Sequence, residues 1–212
     1  MAKSKAATTV STTPSEQATK NLTMPPEENK GEKAEENMNS NKPLQKAFLD
    51  GLKDIYYSEF AMVEALPKMR EAATTEELKD AFEDHELLTR RQITRLEKVF
   101  KSIKEEPEKK KCPAIEGIIK EGEEVIKSTP EGSMTRDAML IIAAQKVEHY
   151  EIASYGGLAQ MAITLGYNDA ADLLERTLEE EEQTDLDLTD IAESFINFEA
   201  EEEDEDEESG DM

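Results

Sequence analysis

The chain has 212 residues, 50 of them acidic against 25 basic, a formal charge of -25 and one cysteine. That length allows one domain with tails, and the charge excludes a phosphate-backbone binder, which needs clustered Lys and Arg. One cysteine excludes an intrachain disulfide. No run of about 18 apolar residues is present to span a membrane, and the opening MAKSKAATTV lacks an apolar segment of signal-peptide length, so a cytoplasmic location is expected.

Residues 1–42 are rich in Thr, Ser, Asn, Lys and Glu, with Pro14, Pro25 and Pro26 and almost no apolar side chains, which reads as a disordered N-terminal extension. From Pro43 the pattern becomes helical: Leu52, Ile55, Glu59, Met62, Leu66 and Met69 fall on one stripe. Pro67 is expected to kink this helix or mark a bend near its end. Thr74-Thr75-Glu76-Glu77 supplies an N-cap followed by first-turn acids, and Leu78, Phe82, His85, Thr89, Gln92, Leu96 and Val99 share the face of the helix that follows. That helix stops before Glu105-Glu106-Pro107.

Lys109 to Cys112 reads as a basic surface loop, with Cys112 in it an incidental thiol. Pro113 suits the first turn of a short helix whose apolar side is Ile115, Ile118, Ile119, Val125 and Ile126. Ser133 opens a long helix that closes near Gly166, with Leu140, Ala144, Val147, Glu151, Ser154, Leu158, Met161 and Leu165 on one face and Glu148 bordering it. Asn168 is expected to cap a last long helix lined by Leu174, Leu178, Glu181, Asp185, Leu188 and Ala192. From Glu199 to Met212 there are ten acids and no base, read as a disordered acidic tail that solvates the chain or contacts a basic partner.

No alternating strand pattern appears. The plan is all-α: a disordered extension (1–42), a helical bundle (43–198) and the tail (199–212). Tight turns join the first two and last two long helices, and a crossover of about 30 residues carrying a short extra helix links the pairs, which is the connectivity of a ferritin-like four-helix bundle. The halves are faintly alike. Matching Ala65–Met69 to Gly157–Met161 sets Glu59 against Glu151, and matching Leu78 to Leu174 sets His85 against Glu181 and Thr89 against Asp185.

Each long helix thus carries acids or an imidazole at mid-length: Glu59, His85, Glu148, Glu151, Glu181 and Asp185. A carboxylate in a buried stripe costs several kcal/mol or loses its charge unless a cation compensates it. Two divalent ions, iron or manganese, suit hard oxygen donors with one imidazole, and Thr89, Gln92, Tyr56 and Tyr155 are placed to orient the ligands. The competing reading is that these are solvated acids in an acid-rich chain. Glu-x-x-His is absent: Phe82 stands three before His85 and Lys146 three before His149. His149 lies about 100° round the helix from Glu148, beside the stripe, and periodicity leaves open whether His149, Glu86 or Glu182 is a ligand.

Five segments, LKDIYYSE (Leu52–Glu59), ALPKM (Ala65–Met69), KKKCPAIEGIIKEGEEVI (Lys109–Ile126), AAQKVEHYEIASYGGLAQMA (Ala143–Ala162) and LEEEEQTD (Leu178–Asp185), together resemble the bacterial YciE/YciF-like ferritin-like proteins. The resemblance runs from about Leu44 to Ile196, omits both tails, and rests most on KVEHYEIASYG. It implies a ferritin-like bundle that forms a homodimer, a candidate dimetal centre and a link to general stress responses. Two functions are carried forward: a dimetal stress protein that consumes dioxygen or peroxide while oxidising ferrous iron or another reductant, and a non-enzymatic helical stress protein whose buried acids are hydrogen-bonded.

Overall fold

The computed structural model describes residues 42–203, so the expectations for residues 1–41 and 204–212 lie outside the described residues. Five substantial helices follow one another: α1 (Pro43–Ala72), α2 (Glu76–Ser102), α3 (Pro113–Ser128), α4 (Met134–Leu165) and α5 (Asn168–Ile191). A single π turn (Ala192–Ile196) leads into a short α6 (Asn197–Glu202), so helix runs four residues past the boundary expected at 198. Among the described residues there is no strand.

Local chemistry sets the ends. Pro43 and Pro113 occupy the first turns of α1 and α3, where a missing N–H has no partner to lose. Thr75 Oγ1 accepts from Leu78 N, and Ser133 Oγ accepts from Arg136 N at 3.1 Å, capping α2 and α4. The carboxylate of Glu203 also accepts from Met134 N and Thr135 N, placing negative charge on the positive end of α4. At the other end of α4, Gly166 takes φ 78°, Tyr167 N bonds Ala162 O at 2.9 Å and Gly166 N bonds Ile163 O at 3.0 Å, the paired contacts of a Schellman stop. The cap of α5 is Tyr167 rather than Asn168, one residue earlier than expected. Pro67 sits inside α1, which continues past it to Ala72.

The α1/α2 and α4/α5 hairpins pack with α2 against α5 and α1 against α4, closing a ring of four, while α3 lies on α4 and α1. Asp137, fully buried at the start of α4, ties the first hairpin to the second pair. It accepts from Thr74 N, Thr75 N and Thr75 Oγ1 at 2.6, 2.8 and 2.8 Å. The apolar core is in two parts. One holds Phe48, Leu52, Ile55, Leu96, Phe100, Tyr155, Leu158 and Leu174. The other holds Met62, Leu66, Leu78, Phe82, Leu140, Val147 and Leu188. Reading along the chain, α1 and α5 pass from the first part to the second, and α2 and α4 from the second to the first. Neighbouring helices are therefore antiparallel.

Two further expectations are corrected. The buried face of α4 does not follow Ser154, Met161 and Leu165, which are half-buried; past Glu151 it runs through Tyr155, Leu158, Ala159 and Ala162. Steps of three and four fit both phases, and only the bulk of Tyr155 packed in the first core part selects one. Cys112 is not a surface thiol: it is 1 % exposed at the start of α3, with Sγ 3.3 Å from Tyr150 Oη, which in turn is 3.0 Å from Ser58 Oγ.

Candidate metal centre

Between the two apolar parts lies one polar layer. On α1, Glu59 falls between Tyr56 and Met62; on α2, His85, Thr89 and Gln92 fall between Phe82 and Ile93. On α4, Glu148 and Glu151 fall between Val147 and Tyr155; on α5, Glu181 falls between Leu174 and Leu188. Every one of these side chains is buried, Glu148 and Glu181 completely. Their common depth follows from helical rise: each lies near the middle of a helix of 24 to 32 residues in an antiparallel ring.

Four of the six expected site residues converge. One donor atom each from His85, Glu148, Glu151 and Glu181 lies within 4.8 Å of all the others. His85 Nδ1 is 3.4 Å from Glu148 Oε1, and its Nε2 is 3.9 Å from Glu181 Oε2. Glu59 is not in this group of four, but Tyr155 Oη donates to its Oε1, and its charge acts on Glu148, Glu151 and Glu181. The structure does not bring Asp185 into the group. Its half-buried side chain stands at the rim, with Oδ1 3.6 Å from Nε2 of the largely exposed His149. Glu86 instead pairs with Arg90 on the outside of α2, and Glu182 is exposed.

Support around the group is partial. Gln92 Nε2 donates to Glu181 Oε1 at 2.6 Å, and Thr89 Oγ1 donates to His85 O within its own helix rather than to a carboxylate of the group. Tyr56 bonds Glu97 and is not part of the layer. Arg95 was not signalled by the sequence. Its guanidinium grips Glu180 in two-pronged fashion (2.7 and 2.6 Å) and Thr177 Oγ1 at 2.7 Å. It stands one turn past Gln92 on the same side of α2, which is the one clue that periodicity offered.

Electrostatics state the problem that this layer must solve. Burial pushes the carboxyls of Glu148, Glu151 and Glu181 well above the ordinary range, and their mutual repulsion adds to it. Burial raises Glu59 to about 8, opposed by the Tyr155 hydrogen bond and by Arg95. Burial lowers His85 to about 4, so its imidazole is neutral and able to donate a lone pair. Among the described residues, all the buried side-chain N and O atoms without a hydrogen-bond partner belong to this layer or its rim. They are Glu59 Oε2, His85 Nε2, Gln92 Oε1, both oxygens of Glu148, Glu151 Oε1, Glu181 Oε2 and Asp185 Oδ1. Buried polar atoms are rarely left unpaired. Anionic oxygens with one imidazole nitrogen are a donor set that suits a divalent cation of the iron or manganese type, and the buried group of His85, Glu148, Glu151 and Glu181 fits such an ion.

The chain has relatives among known proteins. Residues 43–201 match a family described as "Domain of unknown function (DUF892)". The chain is 48% identical over 161 residues to Protein YciF of Escherichia coli (strain K12), covering 76% of this chain and 96% of that one. It superposes on the crystal structure of the E. coli stress protein YciF with a TM-score of 0.70, at 47% identity and covering 74% of this chain and 98% of that one. A second structure, YcfI, a putative structural protein from Rhodopseudomonas palustris, gives a TM-score of 0.68 at 40% identity, covering 70% and 94% of the two chains. Among the described residues, no helix is long and apolar enough to cross a membrane.

Proposed function

Because the chain belongs to the DUF892 family and is a homologue of YciF, we propose that its polar layer is a dimetal centre serving a stress response. When bound, two iron or manganese ions supply the redox chemistry by which ferrous iron or another reductant is oxidised at the expense of dioxygen or peroxide. The observation that carries the reading is the confinement of the unpartnered buried polar atoms to one level of the bundle.

In this reading His85, Glu148, Glu151 and Glu181 hold the cations, with Glu59 Oε2 and Asp185 Oδ1 as the further donors available at the edge of the group. Tyr155 fixes one oxygen of Glu59 and Gln92 one oxygen of Glu181, leaving the second oxygen of each free. The four buried carboxyls carry protons when no cation is near and release them on loading. Two divalent charges then balance four carboxylates, which hydrogen bonds alone do poorly. The two apolar core parts exclude water from either side of the layer. A homodimer belongs to the same proposal, supported by the resemblance and by the apolar Met139, Ile142 and Leu186 that α4 and α5 leave exposed, and so does a cytoplasmic location, which rests on the sequence reading alone.

The rival reading is a non-enzymatic bundle whose buried acids stay protonated. It is favoured by the Tyr155–Glu59 and Gln92–Glu181 hydrogen bonds, which satisfy part of the layer without a cation. Elemental analysis separates the two. Full-length protein loaded anaerobically with Fe(II) or Mn(II) and desalted should hold about two ions per chain, and Glu151→Gln should hold fewer. Wild type retaining essentially none, or Glu151→Gln retaining as much as wild type, refutes the dimetal centre.

A further inference from the structure

A solvent-filled groove of about 620 Å³ runs between α2 and α5. Glu77, Asp80, Asp84 and Arg91 of α2 and Thr184 and Asp187 of α5 are its polar lining, and His85 forms part of its wall. His85 is the residue shared by the groove and the buried group. Its side chain is 4 % exposed, its Nε2 has no hydrogen-bond partner, and Glu148 and Glu181 stand beside the ring. The apolar cavity bounded by Met62, Ile119 and Val147 and the groove bounded by Lys68, Lys127 and Arg136 touch no residue of the polar layer.

The charges along this groove are arranged differently from those on the rest of α2. On its other faces Glu76 pairs with Lys79, Glu83 with Arg70 and Glu86 with Arg90. The groove acids Glu77, Asp80, Asp84 and Asp187 form no ion pair among the described residues, and Arg91 is the one guanidinium in the groove's lining. Uncompensated carboxylates between two low-dielectric helix walls focus a negative potential, which concentrates cations and repels anions and acidic surfaces. Solvation by open water makes them weak, exchangeable ligands. The buried group is the tighter site, because each of its four residues keeps at least one buried donor atom with no hydrogen-bond partner.

We infer that the α2/α5 groove is the route by which divalent cations reach the buried group, its four acids gathering the hydrated ion and His85 standing at the inner end. This rests on the dimetal reading above and adds to it a path and a set of residues outside the group itself. The groove acids act on the rate of loading; the buried donors set how much is held.

The test uses full-length apoprotein mixed with Co(II) at low ionic strength in a stopped-flow instrument, with free metal followed by a chromogenic indicator and bound metal counted after desalting. The variant D80N/D84N/D187N should load on the order of ten times more slowly than wild type, reach the same bound metal per chain, and lose its disadvantage in high salt. A control, E76Q/E83Q/E123Q, removes the same number of charges from other faces and should load at the wild-type rate. An unchanged rate in the groove variant, or an equal slowing in the control, overturns the route while leaving the metal centre standing. Wild type that binds no cobalt at the endpoint overturns both.

Discussion

Glu59→Gln in the metal-free protein offers a direct measure of what the polar layer costs. The Glu59 carboxyl is raised by burial from 4.5 to about 8, so across pH 5.5 to 7.5 it is protonated in the fold and ionised in the unfolded chain. The folded state then binds more protons, and stability falls as pH rises, by about 1.4 kcal/mol per unit, or about 3 kcal/mol over this window. Glu148, Glu151 and Glu181, raised in the same direction by burial, steepen the fall. His85, lowered by burial to about 4, works the other way. Its neutral ring favours the fold above the unfolded value of 6.5, and between pH 5.5 and 6.5 it returns about 1 kcal/mol. Glutamine keeps an acceptor for Tyr155 Oη and cannot ionise. Urea unfolding of EDTA-treated full-length protein, followed by far-UV circular dichroism at pH 5.5 and 7.5, should show wild type losing stability with pH and Glu59→Gln losing about 3 kcal/mol less. A divalent cation at a hundredfold excess over its Kd should restore about 3 kcal/mol to wild type at pH 7.5. The same pH slope in both proteins would mean that Glu59 is solvated or already compensated, and the argument for cations in this layer would lose its physical basis.

Two further outcomes test the scaffold separately from the layer. Asp137→Ala removes the acceptor of two backbone N–H groups and a hydroxyl at the junction of the hairpins, and should cost about 3 kcal/mol in a thermal or urea melt; a loss below about 1 kcal/mol would show that this tie is dispensable. Leu140→Ala, fully buried in the second core part, should cost about 2–5 kcal/mol while leaving metal bound per chain unchanged, because it lies two turns before Glu148 and touches apolar neighbours.

The all-α class, the caps of α2 and α4, the crossover and the depth of each acid along its helix were legible in the sequence. These are short-range properties: capping is set by a few neighbours, and helical rise turns residue spacing into axial position. The pairing of Glu59 with Glu151 and of His85 with Glu181 in the weak internal repeat was legible for the same reason, since matched positions in matched helices reach the same level. Tertiary structure alone decided how far inward each side chain points, because that depends on how each helix is rotated against its neighbours. Rotation turned Tyr155 rather than Ser154 into the core and drew Glu151 and Glu181 together with His85. It left Asp185 at the rim beside His149 and set Arg95 on Glu180 across the α2/α5 seam. A period of 3.6 residues tolerates steps of three or four equally, so it states height well and azimuth poorly; only packing the four helices around one axis resolves the second coordinate.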